Sequence, residues 1–230
     1  MINKLVLFVL CSVLFFGTVR AESDEVQKQK ASTGSLQQLL NDRVVEIKIE
    51  GEGIQSIQVK IRKLVKHPLS FEIPIGAYFV SGNASSQNMV STASRVIRLN
   101  SSQWQTFSLP AACANRPKDI PSDSDTFTYQ TLSNQAELVK LMVRIKKVQP
   151  LYVVKQAAVW IVTDDADFDD MGILSVNGLY RAISETSAAE AMKICADAGI
   201  DIPLKRIWGD RKTIAKELKK GPLKTWLQAQ

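Results

Sequence analysis

Five aspartates crowd residues 164–170: Asp164, Asp165, Asp167, Asp169 and Asp170. Asp165, Asp167 and Asp169 fall at i, i+2 and i+4. In calcium loops this spacing lets alternate side chains of a tight turn converge on one oxygen-lined cavity. As an EF-hand the pattern is incomplete, because Asp170 stands where glycine is needed and Val176 where a bidentate glutamate is needed. The same run also reads as a link between two helices, with aspartate starting the second. Paired carboxylates are the machinery of glycan hydrolysis too, and they must stand about 5 Å or about 6.5–9.5 Å apart across the sugar. One short loop gives neither arrangement, so a hydrolase would have to combine carboxylates of the 164–170 and 119–125 loops. The chain's one histidine, His67, precedes Pro68 at a bend and has no nameable acidic or nucleophilic partner. That excludes His-rich metal sites. No phosphate-cradling glycine loop, nucleophile elbow or metalloprotease motif is present.

Three cysteines occur, and Cys11 lies in an N-terminal apolar run that export removes. Cys113 and Cys195, 82 residues apart, either bridge or remain free thiols. Downstream of Cys113 stands Gln156-Ala-Ala-Val159-Trp160. This five-residue block resembles the Gln-x-x-apolar-Trp block of the thioester-domain surface adhesins. The resemblance implies that Gln156 links to an upstream cysteine, giving an electrophile that captures amines on a target surface. Cys113 is the one upstream cysteine left in the mature chain. Read from residues alone, the block is a helix whose Trp160 packs in the core and whose Gln156 bonds to backbone.

Residues 1–21 carry the pattern of a cleaved secretory signal. Lys4 gives the basic start, Leu5 to Phe16 the apolar run, and Val19-Arg20-Ala21 the cleavage site. The run is short of the roughly 20 residues that span a bilayer. Removing these 21 residues leaves 209 of 230, with 27 basic against 23 acidic side chains, a net +4. Eight of the basic residues fall in 201–230 against three acids. A basic 205–224 segment on an exported chain suits an anionic surface or envelope polymer, and nucleic acid is not expected. The expected location is outside the cytoplasm, secreted or periplasmic.

The elements that must position these groups follow from periodicity. Residues 22–42 are a polar linker, with one helical turn at Leu36 to Leu40 before the fold begins. Across 43–130, apolar residues alternate with polar ones, as in Val45, Ile47, Ile49 and again Ile57, Val59, Ile61. Short strands at this spacing predict an antiparallel β-sandwich with immunoglobulin-like layering. Over 131–230 the period becomes helical: Leu138 to Ile145, Val153 to Val162, a helix after the capping box Ser187 to Glu190, and Thr213 to Lys220 ended by Gly221-Pro222. The expected class is α+β, a β-sandwich followed by a small helical bundle. The expected function is an exported non-enzymatic binding or interaction protein without a resident cofactor, calcium aside. The alternatives are the envelope-polymer hydrolase and a thioester-type covalent adhesion module. Asn83-Ala-Ser85 and Asn100-Ser-Ser102 also fit the N-glycosylation pattern.

Overall fold

The computed structural model describes residues 34–131, 135–176 and 180–229. Residues 1–21, where a signal segment is expected, and residues 22–33 of the expected polar linker lie outside the described residues. The fold opens with helix α1 (Leu36–Asn41), started by Ser35, whose hydroxyl accepts the Gln38 N–H. Leu36 and Leu39 are wholly buried, so this end of the polar segment is part of the core.

Eight strands come next: β1 (Val45–Gly51), β2 (Ser56–Lys63), β3 (Leu69–Ile73), β4 (Tyr78–Ser81), β5 (Asn88–Ser91), β6 (Arg95–Leu99), β7 (Gln105–Ala114) and β8 (Phe127–Gln130). Six form one antiparallel sheet in the order β1-β2-β7-β5-β4-β8, and β3 and β6 pair as a separate ribbon. The sheet curls until its edges nearly meet. Glu50 bridges Thr126, and the Gly51 N–H donates to the Asp125 carbonyl at 2.9 Å. Here glycine is required, since a Cβ on residue 51 would lie 2.0 Å from the Ser122 carbonyl oxygen. The expected stacking of two sheets in immunoglobulin fashion is not what this strand order gives. The sheet is nearly barrel-like. Period-two alternation identifies which face of a strand is buried, whereas neighbours are chosen by contacts distant in sequence. The inward rows are those the alternation marked: Ile57, Val59 and Ile61 on β2 are wholly buried.

Strand β7 changes partners midway along its length. Its first part pairs with β2, Gln105 to Pro110 against Ile61 to Ser56. Its second part pairs with β5, Ala111 to Ala114 against Ser91 to Asn88. Beyond Pro110, therefore, the side of β7 that faced β2 has lost its strand neighbour.

The helices are α2 (Ala136–Val148), α3 (Tyr152–Asp164), α4 (Glu185–Asp197), α5 (Arg211–Glu217) and α6 (Pro222–Gln228). Helix α3 packs between β7 and α4. Helix α4 starts one turn earlier than the capping box predicts, because Ser184 accepts the Ser187 N–H and so takes the cap. Gly199, at φ +74°, succeeds its end as expected. Gly221-Pro222 does not end α5, which stops at Glu217 with Leu218 extended: Pro222 occupies the first turn of α6, where its missing N–H costs nothing. Among the described residues no helix is long and apolar enough to cross a membrane.

Candidate functional site

Helix α3 carries Tyr152, Gln156 and Trp160 at i, i+4 and i+8, hence on one face, one above the other. That face lies against the second part of β7 and the core. Trp160 is the largest fully buried side chain among the described residues, and Gln156 is wholly buried. A buried carboxamide needs partners, because an unpaired polar group out of water costs several times what a made hydrogen bond gains. Gln156 finds them on Cys113, 43 residues upstream. Its Oε1 accepts the Cys113 N–H at 2.9 Å, and its Nε2 donates to the Cys113 carbonyl at 2.8 Å. The carboxamide thus occupies the next place in the ladder after β2 has ended, where the Ala111 N–H still reaches the Gln55 carbonyl.

Two further groups complete the node. Tyr152 Oη lies 2.8 Å from Gln156 Oε1 and 2.7 Å from the Ile54 carbonyl, as donor to both with one proton. The Cys113 sulfur sits 3.4 Å from Met89 Sδ and 3.9 Å from the same Ile54 carbonyl. No cation faces the thiol among these contacts. Burial pushes the Cys113 thiol up to about 12 from 9.0, so it is protonated at neutral pH. Burial likewise raises Tyr152 above its ordinary value, and the neighbouring Cys113 adds to it, so the phenol remains a donor.

The other cysteine is separate. Cys195 on α4 is buried with its sulfur 3.9 Å from the Ala158 carbonyl of α3, and both cysteines are free thiols. Helix α3 packs between the strand bearing one thiol and the helix bearing the other.

Compared with family models, with curated proteins and with solved structures, the chain matches none. The site is therefore read from its own geometry.

The aspartate run closes α3 and is consumed by arginines. Asp165 ends the helix in the left-handed region, at φ +49°, and its Oδ1 accepts the Arg206 N–H at 3.0 Å. Asp164 accepts the Arg116 N–H at 2.9 Å and the Thr163 hydroxyl at 2.7 Å. Asp167 pairs with the Arg206 guanidinium and also accepts the Asp170 N–H at 2.8 Å. Asp170 pairs with Arg116 and Arg206, each at 2.8 Å. Asp169 is exposed. Among the described residues no group of three or more His, Cys, Asp or Glu side chains is arranged to hold a metal ion.

The 119–125 loop is likewise tied to its own framework. Asp125 accepts the Ser122 N–H at 2.7 Å and the Asn83 amide at 2.8 Å, and these bonds hold its carboxyl below the usual range. A general acid needs the opposite shift. The Asn83 amide of the first glycosylation pattern is engaged here and with Ser86. Asn100 of the second is exposed.

At the basic end, Lys205 pairs with Glu137 at 2.8 Å and Arg206 with the aspartate run. Among the described residues Arg211, Lys212, Lys216 and Lys224 have no ion-pair partner, and they line a cleft of about 300 Å³ between α5 and α6. Sequence reasoning named Cys113 and Gln156 but missed Tyr152, the Ile54 carbonyl, Arg116 and Arg206. Tyr152 carried a usable signal, because it stands one turn before Gln156 on the same helix face.

Proposed function

We propose that this is an exported, non-enzymatic attachment protein, in which Cys113 and Gln156 condense to an internal thioester that a partner's amine then opens. What supports the reading is one observation: the Gln156 carboxamide is bonded to both main-chain groups of Cys113, and both side chains are out of bulk water. In the first step Sγ adds to Cδ of Gln156, the C–N bond breaks, and the thiol proton leaves with ammonia. In the second, an amine attacks the thioester carbonyl, an amide forms, and the Cys113 thiol returns. A thioester is suited to this use because burial shields it from water until a partner reaches it. The unpaired cations of the 211–224 segment would draw the protein to an anionic surface beforehand.

The intact mass of the non-reduced mature protein tests the reading. A Cys113–Gln156 thioester makes the chain lighter by one ammonia, withstands mild reductant and is lost on adding methylamine. Cys113→Ala restores the calculated mass. A loss of two hydrogens reversed by reductant is instead a Cys113–Cys195 disulfide, and an unchanged mass is two free thiols. Either result overturns the proposal.

A further inference from the structure

We infer that Tyr152 is a catalytic residue of this site, supplying with the Cys113 N–H an oxyanion hole for both making and opening the thioester. The inference rests on the thioester reading of Cys113 and Gln156. Attack of Sγ on Cδ turns the carboxamide carbon tetrahedral and places a negative charge on Oε1. Two donors already stand on that oxygen, the Cys113 N–H at 2.9 Å and Tyr152 Oη at 2.8 Å. Both donors are thus in place on the resting oxygen before the oxyanion develops from it.

The phenol's second contact makes the stabilisation selective for the charged species. Tyr152 has one proton and two acceptors, the neutral Ile54 carbonyl at 2.7 Å and Gln156 Oε1. In the resting amide both acceptors are neutral and compete for it. Once Oε1 is anionic, the charge-assisted bond is roughly twice as strong as a neutral one and takes the proton fully. A bond that strengthens only as charge develops lowers the barrier rather than the ground state. The thiol gives up its proton before the rate-limiting attack, a proton reaches the nitrogen afterwards, the electron pair of the C–N bond leaves with it as ammonia, and the Tyr152 proton is lent and returned. Nε2, on the Cys113 carbonyl at 2.8 Å, is held opposite the donors as the leaving group. In aminolysis the same oxygen becomes anionic again, so the same two donors act a second time.

The test uses full-length mature chain refolded from denaturant with Gln156 still an amide, tracked by intact mass over time. Tyr152→Phe keeps the ring and removes the donor. Ammonia loss is expected to slow about 100-fold, as when one oxyanion-hole donor is removed. Methylamine opening of the finished thioester is expected to slow as well. This second readout separates chemistry from structure, since a merely structural tyrosine would loosen the site and speed opening. Equal rates of ammonia loss, or faster opening in the variant, overturn the inference while the thioester stands. A wild-type chain that never loses ammonia overturns the thioester reading, and this inference with it. Should Tyr152→Phe fail to refold, a ring-fluorinated tyrosine at 152 keeps the shape and strengthens the donor. Faster ammonia loss then supports the inference, and an unchanged rate overturns it.

Discussion

The two ends of helix α3 hold the protein's two chemical clusters, and they differ in how far their partners have used them up. At the C-terminal end, four of the five aspartates of 164–170 are bound to arginine side chains or to main-chain N–H groups. Their charge does structural work: it joins the helix end to Arg116 after β7 and to Arg206 in the C-terminal region. At the N-terminal end no charged side chain is bonded to the node, in which the Gln156 carboxamide holds both main-chain groups of Cys113 and its oxygen accepts from the Cys113 N–H and from Tyr152. The cluster that looks reactive in sequence is saturated. The one that looks like core packing holds a carboxamide on the main chain of a buried cysteine.

The largest effect that would break this comparison is the pH dependence of thioester formation. The thiolate is the nucleophile, and burial raises the Cys113 thiol from 9.0 to about 12. A raised thiol stays protonated at neutral pH and yields thiolate only as pH climbs, so the rate rises with pH and not with acid. Ammonia loss in freshly refolded protein should rise about tenfold per pH unit between pH 7 and 10. Levelling off near 9 would mean the thiol meets water, and the pocket would not be the closed site described.

Next in size is the structural half of the same node. Gln156 bonds to the main chain of residue 113, so its bonds survive Cys113→Ala, and that background removes the thioester from the measurement. Within it, Gln156→Ala orphans the N–H and C=O of residue 113 and should cost about 3 kcal/mol in chemical denaturation. A loss under about 1 kcal/mol would mean water replaces the carboxamide.

These contrasts mark where the sequence is readable. Alternation along β1 and β2 sufficed for the buried faces, because a strand's two faces are a local property. The near-closure of the sheet at Glu50 and Thr126 was not readable, since it depends on pairing residues 76 positions apart. At the site, five residues from Gln156 to Trp160 pointed to Cys113 through a resemblance. What holds the pair was hidden, because β2 ends opposite Pro110 and leaves Cys113 in need of partners, a fact of strand register. The partners of the aspartate run were hidden for the same reason. Its neutralising partners, Arg116 and Arg206, lie 54 and 36 residues away from Asp170.

Arg116 and Arg206 sharpen the comparison from the saturated end. Both pair with Asp170, but the Arg116 side chain is 19% exposed and that of Arg206 54%. Solvent screening therefore weakens the second pair more. Arg116→Ala should cost about 2 kcal/mol, because it leaves a mostly buried carboxylate with Arg206, the more exposed partner, as its remaining ion pair. Arg206→Ala should cost under about 1 kcal/mol. The reverse ranking in thermal unfolding would show that the C-terminal region, and not β7, anchors the loop.

The smallest effect concerns calcium and Asp169. This carboxylate is exposed, while Asp165 and Asp167 of the same i, i+2, i+4 set are engaged with Arg206. A calcium ion would have to displace that arginine, losing its bonds and gaining a site with one free ligand. The expected outcome is a melting temperature unchanged by millimolar calcium, and Asp169→Asn within about 0.5 kcal/mol of wild type. A calcium-binding loop would behave otherwise, since ligand at 100 times its dissociation constant adds about 2.7 kcal/mol by mass action. The arginine gives the sharper version of the experiment. Arg206→Ala frees Asp167 and one side of Asp170 while Asp165 keeps the main-chain N–H of residue 206, so calcium stabilisation appearing only in that variant would identify the guanidinium as the occupant of the cation's place. Stabilisation in the wild type would show that the ion outcompetes the arginine, and the two ends of α3 would then both be sites.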